Sequence, residues 1–503
     1  MFKALNLPAL VLIYALCLPA AVFCGYLLAT PTSFTSLSVL SLVLFLLAFP
    51  LFIRWHHAML VFAWNSFLIA FFLPGQPTLG ILMAVGSLFI SLLNRTIVKN
   101  EHFLKVPSVS KPLIFLAVII VGTICFTGGI GSRALGSQFF GGKRYLTLLG
   151  AILGYFALTA QPVPLPRALT LASLYFLSAL TAAISDLAFA AGPNFYFLFA
   201  FFSSNLASLQ AITQETLLRL SGLTVAGLGL CYFLLMRFGI AGLLELSKPW
   251  RLLTFLVAIG ASLFGGFRSS MITLSILFIV QFYFEGLFRT RLLPILLVSL
   301  VLIGAFTLPF VDRLPLSVQR SLSFLPIQVD KVARHDAMST LDWRFQIWKT
   351  VLPEVPKYLW LGKGYNFSGT DYDLTQEAIR RGLYTAYEDT LISGNYHNGL
   401  LTIVIPFGIF AVIGFFWFCW ASLRVLYHNY LFGVESLQQV NTFLLAFFVA
   451  RLIFYLVFYG QFDLDFVVFA GAIGLSISLN HTGKETKGEE SQPVLQSEAA
   501  LPA

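Results

Sequence analysis

The sequence predicts an all-α, polytopic membrane bundle, and three observations carry that prediction. Of 503 residues, 58% are hydrophobic and only 11% charged, against roughly 25% charged in soluble domains. The apolar residues come in continuous runs, whereas an outer-membrane barrel alternates apolar with polar positions. Hydrocarbon offers no hydrogen-bond partner to a lone strand, so runs of this length cross a bilayer as helices. The 52 Phe and 8 Trp suit lipid-facing surfaces and the aromatic belts at the two interfaces.

A span needs roughly 20 apolar residues. Runs of that kind fall near 8–29, 34–53, 57–73, 77–94, 112–130, 145–160, 168–190, 218–237, 252–267, 269–287, 292–310, 398–420, 438–459 and 464–480. They predict about 12–14 transmembrane helices. The first run, Leu10 to Ala29 after Lys3, has the flank of a signal peptide but the length of a span, so an uncleaved helix is expected; no lipoprotein-type small-residue pattern precedes Cys24. Ala191–Phe202 is apolar but broken by Gly, Pro and Asn, as in a re-entrant segment. Cys17, Cys24, Cys125, Cys231 and Cys419 sit singly in apolar runs, which suggests neither a disulfide framework nor a thiolate metal site.

The net charge of +9 does not imply nucleic-acid binding, because the cations lie singly or in pairs between apolar runs and act first as topology signals. With a cytoplasmic N-terminus, Arg54, then Arg95, Lys99, Lys105 and Lys111, then Arg167, Arg237, Lys248, Arg251, Arg289, Arg291, Arg424, Lys484 and Lys487 all fall inside. The protein is then an inner (cytoplasmic) membrane protein with both termini cytoplasmic and one long periplasmic loop, 311–397. Three regions follow: N-terminal membrane helices over 1–251, a region 252–480 that holds the loop, and a polar tail, 481–503, expected to be disordered. His56 and His57 are expected at the cytoplasmic interface, and Arg451 and Asp186 in buried ion pairs.

Arg133, Lys143, Arg144, Arg219 and Arg268 remain on the outer side, where the topology rule does not explain them. Arg268 sits between Gly265-Gly266-Phe267 and Ser269-Ser270. Small neighbours let an anion approach a guanidinium there, although an arginine snorkelling to headgroups gives the same pattern. Arg344 and Trp348 are four apart and share a helix face; an interfacial amphipathic helix anchored by Trp343 and Trp348 would look alike. His397-Asn398 opens the run Leu400–Trp420, with Asn398 a helix cap or a ligand contact and His397 an interfacial aromatic or a general base. Gly362-Lys363-Gly364 matches neither phosphate-binding fingerprint and reads as a turn. His335, between Arg334 and Asp336, is a rival base of lower rank that reads first as part of a solvated charge cluster, and the pairs Asp371/Asp373 and Asp463/Asp465 have the carboxylate spacing of metal-dependent sugar transferases, which loops also produce by chance, so no metal or other cofactor is expected.

The order of these features resembles the O-antigen ligase and O-antigen polymerase superfamily of bacterial envelope enzymes: a Gly-rich helix junction with Arg268, the long loop with Arg344 and Trp348, Leu361-Gly362-Lys363-Gly364, His397-Asn398, then a helix bearing Gly408. The resemblance is best over about 260–415. It implies a metal-independent, inverting C-type glycosyltransferase that moves a glycan from undecaprenyl diphosphate to an acceptor hydroxyl. It also implies that Arg268 and Arg344 hold the diphosphate and His397 acts at the acceptor. Trp348, Asn398, Arg133, Lys143 and Arg144 are the expected substrate-binding residues. The partners implied are a polyprenyl-diphosphate-linked glycan, a glycan or lipid acceptor and the bilayer itself, with no nucleic acid. Phe267 stands where the resemblance leads one to expect Ser, and the stretch between Gly364 and His397 is long. Ligase, polymerase and protein O-glycosyltransferase are three forms of this reaction. A transporter or flippase of lipid-linked glycans is the alternative of another class, but it would hold its ionisable residues near mid-bilayer and keep its loops short.

Overall fold

The structure is a computed structural model that describes the chain apart from residues 1–16, 20, 24, 26–32, 74, 98–102, 132–136, 138, 203–218, 326, 384–385 and 482–503. Most of the first run, Arg133 and the polar tail therefore lie outside the described residues. The fold is all-α, as the continuous apolar runs require. The ladder pairing Phe139–Phe140 with Phe367–Ser368 is two residues long.

In chain order the helices before the long loop are α1 (Phe34–Ala63), α2 (Leu79–Ile97), α3 (Pro107–Thr127), α4 (Gly142–Leu158), α5 (Leu165–Ala191, crossing a short 3-10 stretch), α6 (Ser221–Leu243), α7 (Pro249–Leu263), α8 (Arg268–Phe284) and α9 (Leu292–Thr307). After the long loop, whose helices are α10 to α14, come α15 (Leu401–Phe432), α16 (Gln438–Val457) and α17 (Phe462–Asn480). Among the described residues, seven helices are long and apolar enough to cross a membrane, or eight if the two halves of α1, bent by 96°, count as one span.

That is fewer than the 12–14 expected: most of the first run lies outside the described residues, α4 and α9 are only 17 and 16 residues long, and two further differences add to this. The runs at 34–53 and 57–73 are not two spans: helix α1 ends at Ala63, and the chain then turns through short bridges from Leu68 to Phe202 and Ile69 to Thr78. Helices α7 and α8 are apolar but only 15 and 17 residues long, about 22–26 Å at 1.5 Å per residue, short of a hydrocarbon core of about 30 Å.

Helix α4 lies against α2 and α17, α15 against α3 and α16, α6 against α5 and α7, and α8 against α16. The centre of the bundle is aromatic: Phe415, Phe418, Phe448, Phe462, Phe466 and Phe469 are buried where α15, α16 and α17 meet. Their rings meet edge to face or tilted, as for Phe415 and Phe462 with centroids 5.8 Å apart, the geometry that aromatic quadrupoles favour. Several polar groups inside are paired. Arg451 on α16 bonds Asp465 on α17 at 2.7 Å, the expected pair between spans. Asp186 instead accepts from the Leu223 backbone N–H at 2.7 Å and so caps the start of α6. His56 and His57 are buried rather than interfacial, the first bonded to Ser87 Oγ and the second to the Leu158 carbonyl.

The interval 311–397 is a folded cap. It forms α10 (Leu316–Leu322), α11 (Lys331–Val351), α12 (Val355–Tyr358), α13 (Gly369–Arg380) and α14 (Ala386–Ser393). The Asp330 carboxylate caps α11 by accepting from Val332 N–H at 2.7 Å. Ile347 and Val351 of α11 are buried with Tyr396, Leu401, Val404 and Ile405 in a second small core that ties the cap to α15. Each such aliphatic side chain contributes about 1.5–3 kcal/mol on burial. As its sequence suggested, Gly362-Lys363-Gly364 is a turn: Lys363 and Gly364 donate to the carbonyls of Ile405 and Pro406 at 2.9 Å. A Cβ at Gly362 would stand 2.2 Å from the Pro406 oxygen, so glycine is required there.

Candidate active site

The candidate site forms where the α7–α8 turn, α10, α11 and the segment before α15 converge. The turn is built for close packing. Gly266 has φ +69°, and a Cβ at Gly265 would collide with Thr224 Oγ1. The small residues beside Arg268 thus admit neighbouring protein, namely Thr224 and α10, rather than opening space for a ligand. From α10, Arg320 donates to the Gly266 carbonyl and to Asp336, while Ser321 Oγ donates to the Leu263 carbonyl at 2.8 Å.

Asp336 of α11 is the anchor of the cluster. It accepts from Arg320 and also from Arg219, at 2.9 Å. Arg268, at the first position of α8, donates to the Ala337 carbonyl at 2.6 Å. Arg344 lies about two turns beyond Asp336 on α11, with its guanidinium 5.3 Å from the ring centroid of Tyr459. Arg268 stands close enough to feel the charges of both Arg320 and Arg344. Burial, with Arg320 adding to it, lowers the Arg344 pKa against the opposing pull of Tyr459, yet a guanidinium with an ordinary value above 12 stays charged. Among the described residues, no carboxylate bonds Arg268 or Arg344.

His397 completes the cluster. Its ring is 4.8 Å from Trp343 and 5.1 Å from Tyr459, so it shares Tyr459 with Arg344. Its backbone is left-handed, with φ 51°, a conformation that costs a non-glycine residue roughly 1–3 kcal/mol. Three neighbours enforce it. Trp348 Nε1 donates to the Tyr396 carbonyl at 2.9 Å, Tyr455 Oη donates to the Gly399 carbonyl at 2.7 Å, and Asn398 Oδ1 accepts from the N–H groups of Leu400 and Leu401. Burial first, and then the charge of Arg344, lower the imidazole pKa to about 4. The ring is therefore neutral at physiological pH. His397 Nδ1 and Arg344 Nε are both buried without a hydrogen-bond partner among the described residues, at a cost of roughly 1–3 kcal/mol for each such group.

Residues 253–416 match the family model described as O-antigen ligase, a stretch that runs from α7 into α15 and contains Arg268, Arg344 and His397. That region, 253–416, is of the O-antigen ligase and polymerase superfamily. The apolar helices make the chain a multi-pass membrane protein. A search of curated proteins finds no match.

Within this O-antigen ligase region the structure brings together three of the residues expected from sequence, Arg268, Arg344 and His397. The others take different places. Trp348 faces the small core and holds the Tyr396 carbonyl, and Asn398 caps α15. Lys143 is exposed on the first turn of α4. Its neighbour Arg144 pairs with Asp463 at 3.2 Å, donates to the Ser393 carbonyl and covers the Tyr365 ring at 4.4 Å. Arg133 lies outside the described residues. Asp463 and Asp465 each bond an arginine, and among the described residues no group of three or more His, Cys, Asp or Glu is placed to hold a metal. His335 is exposed, as a solvated group should be.

Sequence reasoning passed over Arg320 and Tyr459. Arg320 had the signal that singled out Arg268, a cation on the outer side beyond the reach of the topology rule. Tyr459 had none, because only the fold places the second residue after α16 beside α11.

Proposed function

We propose that this protein is a membrane glycosyltransferase that transfers a glycan from undecaprenyl diphosphate to an acceptor hydroxyl, as an O-antigen ligase or polymerase does. The observation that carries the reading is the pair of half-buried guanidiniums, Arg268 and Arg344, which no described carboxylate bonds and which stand beside a neutral histidine. A pyrophosphate supplies the negative charge that such a cluster lacks, and guanidiniums bind it in the forked geometry that suits phosphate oxygens.

In the proposed reaction the acceptor oxygen attacks the anomeric carbon from the face opposite the leaving group. The bond from that carbon to the phosphate oxygen breaks, its electron pair leaves with the diphosphate, and the configuration inverts. Arg268 and Arg344 stabilise the charge that grows on the diphosphate, a role that needs no metal. His397 accepts the hydroxyl proton. With a pKa near 4 the ring is a weak base in the empty site. A bound diphosphate offsets the charge of Arg344, one of the two causes of the lowering, and so brings the ring back toward its ordinary 6.5. The polyprenyl chain stays in the bilayer while its headgroup reaches the cap. On the distribution of Lys and Arg, the cap faces away from the cytoplasm of an inner membrane, region 252–480 carries the chemistry, and 1–251 serves as scaffold.

The test is transfer of a fluorescent glycan from a polyprenyl diphosphate donor by the detergent-purified full chain with EDTA present. Turnover that persists in EDTA supports the reading. Turnover that EDTA abolishes and added divalent cation restores rejects its metal-independent form, and no transfer to any envelope glycan, lipid or protein hydroxyl rejects the reaction class.

A further inference from the structure

Helix α11 is more apolar than its packing requires. Ala333, Ala337, Ile347 and Val351 form its buried face. Met338, Leu341, Phe345 and Leu352 stand off that face and are 56%, 42%, 62% and 58% exposed. They recur at spacings of three, four and seven residues, which return to one edge of a helix with 3.6 residues per turn, and Leu352, the C-cap, keeps right-handed helical backbone. Trp343 and Trp348, the anchors that the sequence suggested for an interfacial helix, are engaged inside the cap instead, one against His397 and the other on the Tyr396 carbonyl. The apolar edge is therefore distinct from the tryptophans and from the site.

What covers that edge is indicated where α11 ends. From Leu352 the chain runs through α12 to Trp360 and Leu361, which are 66% and 70% exposed. Trp360 is fixed against α15: the Ile409 N–H donates to the Leu359 carbonyl at 2.7 Å, and the Trp360 and Phe410 rings stand 6.2 Å apart. Phe410 in turn begins an exposed edge of α15 that continues through Ile413, Trp417 and Trp420. Helix α15 is among those long and apolar enough to cross a membrane, and an apolar edge exposed on such a helix faces lipid. The apolar edge of the cap thus runs along the chain into a lipid-facing one, with Trp360 at the level where tryptophans mark the membrane interface. The border of the edge carries the charge that lipid phosphates attract. Arg334, one turn before Met338, and Lys349, one turn after Phe345, are both exposed, and such side chains lay an apolar stem along the hydrocarbon with the cation at the headgroups. Between them Asp342 is exposed, while Asp336 is taken up by Arg219 and Arg320. A helix with an apolar side and a cationic border lies in the plane of the interface.

We propose that the apolar edge of α11, Met338 to Leu352, is a membrane-docking surface that seats the cap in the lipid leaflet on the cap's side of the bilayer. Leu341 lies three residues before Arg344 and Phe345 one after it, so the seat holds the Arg344 turn at the level of the lipid phosphates. The seat does not rest on the proposed function; under that function it sets Arg344 where a lipid-borne diphosphate arrives.

The experiment uses the full chain with its five cysteines replaced by alanine, in vesicles of phosphatidylethanolamine and phosphatidylglycerol. A nitroxide is attached to Leu341→Cys, Phe345→Cys or Leu352→Cys on the apolar edge, and to Asp342→Cys or Gln346→Cys on the polar side. Collisions with oxygen, which dissolves in lipid, and with a nickel chelate, which stays in water, are read by EPR saturation. The ratio of oxygen to nickel collisions should be several-fold higher at the three apolar positions than at the two polar ones. Equal ratios on the two sides overturn the seat, and apolar positions shielded from both agents overturn it in favour of a protein cover such as a second copy of the chain. A second measurement keeps the native cysteines, so the seat stays testable if their replacement prevents folding. The photo-reactive p-benzoylphenylalanine in place of Phe345 should crosslink to phospholipid, and in place of Gln346 it should not. No lipid crosslink from Phe345, or an equal yield from Gln346, contradicts the seat.

Discussion

Two sets of buried arginines in this molecule have the same chemistry and opposite surroundings. In the bundle, Arg451 pairs with Asp465 and Arg144 with Asp463, one carboxylate for each cation. Where the cap meets the bundle, Asp336 bonds Arg219 and Arg320, while Arg268 and Arg344 bond no carboxylate among the described residues. An unpartnered nitrogen alone does not separate the two, since Arg451 Nε lacks a hydrogen bond just as Arg344 Nε does. Charge balance separates them. Where the fold supplies its own counter-charge an arginine holds helices together, and where it does not, the counter-charge in the proposed reaction is the diphosphate.

The largest expected effect tests the balanced side. Arg451→Ala strands the Asp465 carboxylate in the bundle and should destabilise the protein by about 3–5 kcal/mol, whereas Arg451→Met with Asp465→Leu should be far milder, because removing a whole buried pair is often neutral. Thermal unfolding in detergent reads both. If the double variant falls as far as the single one, the pair does more than balance charge.

On the unbalanced side, Arg344→Ala and Arg268→Ala should each lower glycan transfer by about 100- to 1,000-fold, the scale of one lost oxyanion-type contact, with thermal stability unchanged or raised. Lysine at either position should restore only part of the rate, since it lacks the guanidinium fork.

His397 sharpens the comparison through pH. A base must be unprotonated, so the rate falls as pH drops through its pKa. In kcat/KM, which reports the free enzyme, that fall should come near pH 4, the value set by burial and Arg344. In kcat, which reports the donor-bound state, it should move upward because the diphosphate offsets Arg344. Identical profiles for the two parameters would mean that donor charge does not reach His397.

The smallest effect belongs to Asn398, whose side chain caps α15. Asn398→Ala should cost about 1 kcal/mol of stability and leave donor affinity within a few-fold. A large loss of affinity would return Asn398 to the substrate contacts that its sequence position suggested.

Much of this was legible in the sequence. Long apolar runs fixed the α-helical membrane class, and the cations beyond the reach of the topology rule led to Arg268. The i, i+4 spacing placed Arg344 and Trp348 on one helix, and the order of short motifs pointed to the superfamily. Composition could not show that 311–397 folds into helices on a small core of its own, because that core depends on Ile347 and Val351 meeting Val404 and Ile405 across more than fifty residues. Nor could it show that Gly265 and Gly266 admit Thr224 and α10 rather than a ligand, since a small residue looks the same whichever neighbour it accommodates. The split between Arg144, held by Asp463, and Arg344, which bonds no carboxylate among the described residues, depends on which carboxylate the fold brings near, and local sequence does not encode that.

The most direct measurement is the affinity of the purified protein for glycan-free undecaprenyl diphosphate, compared in wild type, Arg268→Ala and Arg344→Ala at two salt concentrations. The account predicts binding that weakens tenfold or more in each variant, with a smaller salt dependence once a guanidinium is gone. Equal affinity in all three, with equal response to salt, would contradict the claim that the unbalanced arginines hold the diphosphate.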